Sequence, residues 1–174
     1  MLFCCKPEQN KSLNLKIINL LEQIEGDFAI AFQDLSREKN NFFLNENEKF
    51  HAASTMKVPV MIEMYNQASQ GKFSLNDSIL IENKFKSIVD DTSYEMNAAE
   101  DSEPSLYDRI GKQVTFFDLM YQMIIMSSNL ATNILVKEIG CKNITASMKR
   151  LGAYDTEVLR GVEDQKAYDL GLNN

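Results

Sequence analysis

"HAASTMKVPV", residues 51–60, is the stretch of this sequence from which its fold and its chemistry are best inferred. It contains the single histidine of the chain, His51, with Ser54 three places after it and Lys57 three places after that. Helix formers follow, and Pro59 is tolerated only near a helix start, where its missing N–H has no partner to lose. The sequence therefore predicts a helix that begins close to Ser54.

The spacing of Ser54 and Lys57 is chemically suggestive. Residues three apart on a helix share a face, so the two side chains would lie within reach of each other. A serine becomes a nucleophile when a base takes its proton, and a lysine with a lowered pKa can be that base. The positive helix end would also favour an oxyanion over the serine. Because S-x-x-K arises by chance about once in a chain of this length, the pair alone establishes nothing.

A histidine-based triad is the alternative way to activate the serine. His51 lies on the same approach to the helix as Ser54, so its side chain would have difficulty reaching round to the hydroxyl. We expect His51 to be a half-buried structural residue.

Composition restricts the remaining possibilities. A length of 174 residues with 44% hydrophobic residues suits one globular domain. The net charge of −7 makes a nucleic-acid partner unlikely, and no run reaches the roughly 18 apolar residues of a membrane span. Cys4, Cys5 and Cys141 have no metal-like spacing, so we expect neither disulfides nor a metal site, and no cofactor.

Apolar periodicity and turn residues predict the other elements of the chain. The first helix is amphipathic, and two apolar runs joined by "SREKN" form an antiparallel hairpin. A long polar segment then precedes a Thr-x-x-Asp capping box, which starts a buried helix. The predicted ranges are a helix over 13–24, strands over 27–35 and 41–50, a long loop over 82–113, the capping box over 115–118, and helices over 130–139 and 142–151.

A second group of polar residues follows that buried helix. In "MSSNLATN", residues 126–133, Ser127 and Asn129 come directly after the apolar run. Serine and asparagine are favoured at helix ends, so the two residues could form a simple cap. Considered together with Ser54 and Lys57, they favour a catalytic group.

The order of these motifs resembles the class A serine β-lactamases and their penicillin-binding relatives. The resemblance rests on "FHAASTMK", the capped buried helix, "MSSN" with Asn133 four residues on, and then "LRGVED" at residues 159–164. It extends from about residue 12 onward. It implies an α/β (α+β) β-lactamase/transpeptidase-like fold, with a helical subdomain and the first two strands of an antiparallel sheet.

The resemblance also implies a role for each residue of the motifs. Ser54 would be the acylated nucleophile, with its backbone N–H as one oxyanion-hole donor, and Lys57 would be the base or proton relay. Ser127 would pass a proton to the departing ring nitrogen, and Asn129 would hold the amide side chain of the substrate. Asn133 would tie the omega loop to a helix. The partner would be a small molecule, and the location periplasmic or secreted, although the chain has no intact signal peptide.

Two positions differ from the family pattern or leave a choice open. Ser128 replaces the acid of the family's S-D-N, which is expected to weaken loop anchoring. The family also needs an omega-loop carboxylate to activate the deacylating water. Glu163 lies at the family spacing, whereas Asp169, with Asn173 as partner, matches the local acid-x-x-Leu-Asn pattern but is one methylene shorter. We favour Glu163, and the other possibility for either is a solvated loop carboxylate.

The sequence contains no Lys-Thr-Gly or Lys-Ser-Gly. In the family that strand binds the substrate carboxylate, and residues just beyond it complete the oxyanion hole. We therefore expect residues 1–11 to be a tail, with a leader remnant as one interpretation, and residues 12–174 an incomplete domain lacking the later strands and the closing helix. A two-stranded sheet is marginal, and its unpaired edge invites self-association.

Three functions remain open from the sequence. The first is a β-lactamase-type serine hydrolase that opens the β-lactam ring through an acyl-enzyme on Ser54. The second is a penicillin-binding transpeptidase, carboxypeptidase or esterase relative. The third is a catalytically inactive, truncated remnant or interaction protein.

Overall fold

The computed structural model describes the backbone over residues 8–174 and the side chains from residue 13 onward. The predictions for Cys4, Cys5 and a leader remnant lie outside the described residues. The chain divides into two compact units, one ending at Phe50 and the other running from His51 to Asn174. We describe each unit separately.

The first unit contains one helix and one hairpin, as predicted. Ile30 pairs with Leu44 and Phe32 with Phe42, which confirms the predicted antiparallel orientation of the two strands. The first strand ends earlier than predicted because Asp34 turns the chain, and the second ends at Leu44, before the left-handed Asn45 (φ 49°). The Asp34 carboxylate accepts hydrogen bonds from Ser36 and from other groups of the turn, which also lower the pKa of Asp34 to about 2. The elements are α1 (Glu8–Leu21), β1 (Ile30–Phe32), a 3₁₀ turn (Glu38–Asn40) and β2 (Phe42–Leu44).

Among the described side chains of the first unit, none is fully buried. Leu20, Phe32 and Phe50 are each more than half exposed, and Leu35 is 94% exposed. Since burial of apolar surface is the main stabilising term in folding, this unit has little stabilisation of its own.

The second unit contains the buried core. Its α2 begins at Lys57 and directly follows a 3₁₀ turn over Ala53–Met56, so the predicted helix start near Ser54 is confirmed. The apolar face of α2 packs on α3, α4 and α5. The other elements are β3 (Ser78–Leu80), β4 (Phe85–Lys86), β5 (Ser93–Tyr94), 3₁₀ turns at Ala98–Glu100 and Pro104–Arg109, β6 (Gln113–Thr115), α3 (Phe116–Ile125), α4 (Asn129–Ile139), α5 (Cys141–Arg150) and α6 (Gln165–Asp169).

The capping box predicted before the buried helix is present. The Thr115 hydroxyl accepts the backbone N–H of Asp118 at 3.0 Å, and α3 follows. The segment predicted as a loop, 82–113, contains two short strands and two 3₁₀ turns, and its end pairs with β3. That pairing was not predicted, because three-residue strands carry too little periodicity to be recognised.

A buried carboxylate fixes α2 against α5. Glu63 is 2% exposed and accepts hydrogen bonds from Asn66, Gln67 and the Ser147 hydroxyl, with Arg150 at 3.7 Å. Burial alone would raise the pKa of Glu63, but these hydrogen bonds outweigh burial and hold it below its usual value. The helix that follows the Ser54 turn therefore has a fixed orientation within its unit.

Candidate active site

Ser54 lies in the 3₁₀ turn that leads into α2, and its side chain is open to solvent. The residue before it, Ala53, has φ 45°, a left-handed conformation that residues other than glycine seldom adopt. Backbone conformations of this kind concentrate at functional sites, where the surrounding structure holds them in place.

The side chain of Lys57 connects this turn to the junction between α3 and α4. Lys57 is 3% exposed. Its Nζ lies 3.2 Å from Ser54 Oγ, 2.9 Å from Ser127 Oγ, 2.6 Å from the Ser127 carbonyl oxygen and 2.8 Å from Asn129 Oδ1. The predicted neighbours of Ser54, which are 70 or more residues apart from it in sequence, thus meet at one nitrogen.

The contacts of Lys57 are compatible with a neutral amine, which has two protons and one lone pair. The carbonyl oxygen of Ser127 and Oδ1 of Asn129 can only accept hydrogen bonds, so they take the two protons of a neutral amine. The lone pair is then available to the hydroxyl of Ser54 or Ser127. A protonated Lys57 would have four acceptors for three protons, which makes the 3.2 Å contact with Ser54 the weakest of the set.

The pKa of Lys57 is lowered from its ordinary value of 10.5. Burial is the main cause, since it disfavours the charged form. The negative charges of Asp101 and Glu163 act in the opposite direction and limit the decrease. A lowered pKa is the condition for a lysine to act as a general base.

Ser127 completes a triangle with Ser54 and Lys57. Its Oγ lies 3.2 Å from Ser54 Oγ, and its φ of 58° is again left-handed. The Ser127 carbonyl oxygen also accepts a hydrogen bond from the Ser102 hydroxyl at 3.0 Å. The backbone of Ser127 is therefore held from two sides.

Asn129 connects Lys57 to Glu163, the favoured omega-loop acid. Its Nδ2 donates to Glu163 Oε1 at 3.0 Å, while its Oδ1 accepts from Lys57. Glu163, Ser54 and Asn129 line one pocket of about 310 Å³. The other candidate, Asp169, accepts a hydrogen bond from Gln165 on α6 at 2.6 Å and is not part of the pocket wall. Of the two candidate acids, Glu163 therefore lines the pocket with Ser54, and Asp169 does not.

His51 does not approach Ser54 through a hydrogen bond. Its Nδ1 lies 3.3 Å from the Asn174 carbonyl oxygen, and its ring lies edge-on to Tyr168. The side chain is exposed, so the expectation of a half-buried histidine is wrong. Because the approach to α2 lies at the pocket rim, the ring remains in contact with solvent.

The segment that carries Glu163 is anchored at several points. The Asn133 side chain, 2% exposed, accepts the Val162 N–H at 2.6 Å and donates to the Val162 carbonyl at 2.9 Å. The structure thus places Asn133 in the tying role expected of it. Asp164 in turn accepts the backbone N–H groups of Ile88 and Ala167.

Asn174 hydrogen-bonds to both the start of this segment and the residue before the Ser54 turn. Asn174 Oδ1 accepts the backbone N–H groups of Leu159 and Arg160, and the Asn174 carbonyl accepts the N–H of Ala52. The segment with Glu163 and the turn with Ser54 are therefore connected through hydrogen bonds rather than through apolar packing alone.

Two features of this site were not predicted. One is α6, whose five residues are too few for a helical pattern. The other is Asp101, whose carboxylate accepts the backbone N–H groups of Asn129 and Leu130. No spacing rule relates an acid in a polar loop to a motif 28 residues later.

Within residues 8–174, no group of three or more His, Cys, Asp and Glu side chains is arranged to hold a metal ion. Cys141 has a free thiol and is partly buried. Within the same residues, no single helix is both long enough and apolar enough to cross a membrane.

A model of the beta-lactamase enzyme family matches residues 12–173. The chain belongs to this family. The resemblance inferred from "STMK" and "MSSN" is therefore confirmed. No curated protein gives a significant match.

Solved structures of this family share the fold. A β-lactamase from Sphaerobacter thermophilus has a TM-score of 0.70 at 25% identity, over 86% of this chain and 51% of its own. A β-lactamase from Chitinophaga pinensis has a TM-score of 0.72 at 19% identity, over 92% of this chain and 56% of its own. The protein PBP-A has a TM-score of 0.68 at 17% identity, over 89% of this chain and 54% of its own.

This chain therefore spans about half the length of the solved structures that it matches. The predicted fold class is confirmed, with a helical part and short two-stranded antiparallel sheets, of which β1–β2 is the first along the chain.

Close packing at Gly161 predicts a strong effect of a single methyl group. A Cβ on Gly161 would overlap the side-chain amide of Asn133. We expect Gly161→Ala to push Val162 away from Asn133 and to lower the free energy of unfolding by about 1–3 kcal/mol. Urea titration monitored by circular dichroism measures this.

The matched control is Gly161→Ala in an Asn133→Ala background, where the overlap is absent. There the added methyl group should cost much less. An equal cost in both backgrounds would show that the packing against Asn133 is not the cause.

Proposed function

We propose that this chain carries the acylating centre of a β-lactamase-type serine hydrolase, with Ser54 as nucleophile. The observation that supports this most strongly is the buried Lys57 amine, 3.2 Å from Ser54 Oγ and held by Ser127 and Asn129. Membership of the family supports a small-molecule substrate of the β-lactam class.

In the proposed acylation, Ser54 Oγ attacks the carbonyl carbon of the β-lactam ring while Lys57 Nζ takes the serine proton. The Ser54 backbone N–H donates to the oxyanion that forms. When the ring C–N bond breaks, Ser127 Oγ gives its proton to the departing nitrogen and is reprotonated from Lys57, 2.9 Å away. Asn129 orients the amide of the substrate.

In the proposed deacylation, Glu163 acts as general base. It takes a proton from water as the water oxygen bonds to the acyl carbon, and the ester bond to Ser54 Oγ breaks. The proton returns to Ser54. Two observations support Glu163 as this base. It lines the same pocket as Ser54, and the Asn129 side-chain amide donates to its carboxylate at 3.0 Å.

Residues 12–174 are proposed to belong to one domain, and α1, which begins at Glu8, crosses the predicted end of the tail at residue 11. The family match, which begins at residue 12, supports the single domain.

We also propose that a second copy of this chain pairs with the open edge of the β1–β2 sheet. No further strand joins this sheet within the described residues, and Phe32 and Phe43 are 55% and 48% exposed. An edge with unpaired backbone groups and exposed aromatic side chains is prone to such pairing.

Covalent labelling tests the proposed acylation of Ser54. A fluorescent penicillin should label the chain, and peptide mass spectrometry should find the adduct on Ser54. Ser54→Ala should abolish the label, whereas Ser69→Ala, an exposed serine on α2, should keep it. Labelling of Ser54→Ala, or an unlabelled wild-type chain, would contradict the proposal and leave the inactive remnant.

The pH dependence of labelling tests Lys57. Because the neutral amine is the base, the rate should rise with pH and level off above the lowered pKa of Lys57, which lies below 10.5. Lys57→Arg keeps the charge but cannot release a proton, so we expect labelling to slow by about 10²–10⁴.

The role of Glu163 is tested by the lifetime of the acyl-enzyme. Glu163→Gln should still be acylated but should hold the adduct about 10²–10⁴ times longer, because no base activates the water. Asp169→Asn, the alternative, should release it as fast as wild type. A wild-type adduct as persistent as that of Glu163→Gln would instead support a transpeptidase-like relative.

Sedimentation velocity tests the proposed pairing of two copies. The sedimentation coefficient should rise with concentration, and Ala31→Lys on β1 should suppress the rise, because an edge lysine blocks strand addition. Ala153→Lys, the same change at an exposed position of the second unit, should have no effect. A concentration-independent coefficient for wild type would exclude the pairing.

A further inference from the structure

The carboxylate of Asp101 lies against the N-terminus of α4, directly beside the "MSSN" motif. Asp101 Oδ1 accepts the Asn129 N–H at 3.1 Å, and Oδ2 accepts the Leu130 N–H at 2.8 Å. These are the first two amides of α4, which have no acceptor within the helix. The negative charge also suits the positive end of the helix.

Further donors fix Asp101 in this position. Its Oδ1 also accepts the Glu103 N–H at 3.0 Å, and its Oδ2 accepts the Tyr107 hydroxyl at 3.1 Å and the Ser128 hydroxyl at 3.4 Å. Asp101 is 8% exposed. A carboxylate with five donors at this depth is a fixed structural element and not a solvated loop charge.

Asp101 lies beside Ser128, the residue that replaces the acid of the family motif. The middle residue of "SSN" is Ser128, where S-D-N has an acid, and Ser128 is fully buried with its Oγ accepting the Ala131 N–H at 3.2 Å. The acid that Ser128 lacks is thus present within contact distance of it, supplied by the loop instead of by α4.

Asp101 also acts on the base. Its charge raises the pKa of Lys57 and so opposes the effect of burial, as does that of Glu163. One of these two carboxylates comes from the loop and the other from the segment after α5. The balance between them and burial sets the pH at which Lys57 becomes a base.

We propose that Asp101 is a positioning residue that takes the place of the acid missing at position 128, holding the Ser127–Asn129 turn at the distance from Lys57 that acylation requires. The proposal rests on the proposed acylation of Ser54. Asp101 itself touches no reacting atom.

The test exchanges the two side chains. Asp101→Ser removes the carboxylate from the loop, and Ser128→Asp places one at the N-cap of α4, next to the Asp101 that the single variant retains. We expect each single variant to lower the rate constant for labelling by a fluorescent penicillin about tenfold or more, the first by losing charged hydrogen bonds and the second by like-charge repulsion. The double variant should recover to within a few-fold of wild type.

Asp108→Asn is the matched control, since Asp108 is exposed and belongs to the same segment. It should leave the rate unchanged. If the fold-reduction in labelling rate of the double variant equals the product of the two single fold-reductions, the proposal is overturned, because the two positions then act independently.

A second measurement separates positioning from a loss of folding. In Asp101→Asn, which has nearly the same shape, removal of the charge should move the rising limb of the pH–rate profile of labelling to lower pH. A purely structural effect would lower the rate at every pH and leave the limb in place. An unshifted limb in a folded Asp101→Asn variant would contradict the inferred action on Lys57.

Amide hydrogen exchange tests Asp101 without any reference to penicillin. The Asn129 and Leu130 amides should exchange about tenfold or more faster in Asp101→Ser and return toward wild-type rates in the double variant. If wild type is not labelled, the proposed function fails, but this exchange pattern still tests whether Asp101 holds the start of α4. Unchanged exchange in Asp101→Ser would overturn the proposed positioning role of Asp101.

Discussion

The buried amine of Lys57 is the contact on which the rest of the site depends. It touches the Ser54 turn and the α3–α4 junction at the same time, through Ser54, Ser127 and Asn129. Removing a lysine from water is costly unless every proton finds an acceptor. The polar groups around Lys57 therefore have two effects, since they make its burial tolerable and they hold an amine, whose pKa burial lowers, beside a hydroxyl.

The surroundings of this contact are held mainly by polar anchors. Asn133 holds the backbone of Val162, and thereby the segment with Glu163, while Asp101 holds the start of α4. Hydrogen bonds of this kind have directions, whereas apolar packing does not, so they suit a site in which distances of about 3 Å decide the chemistry. The apolar core beneath supplies the stability, and the polar anchors supply the positions.

Features that depend on residues close in sequence were predicted, and contacts between distant segments were not. The start of α2, the capping box at Thr115 and the hairpin were predicted, because capping and periodicity depend on residues within one or two turns. The pairing of β3 with β6, the short α6 and the exposed His51 were not predicted. Each of these depends on which distant segment lies alongside, and a single sequence does not report that.

The residue types of the site, their order and their helical context follow from the order of amino acids alone. Ser54 and Lys57 are three residues apart, and that spacing alone puts them on one helical face. The folded arrangement was needed to show that Glu163 and not Asp169 lines the pocket with Ser54, and that Asp101 lies beside Ser128, where the motif lacks an acid. The physical reason is that contacts between residues close in sequence follow from backbone geometry, whereas contacts across the chain are made only when the core closes and brings its loops together.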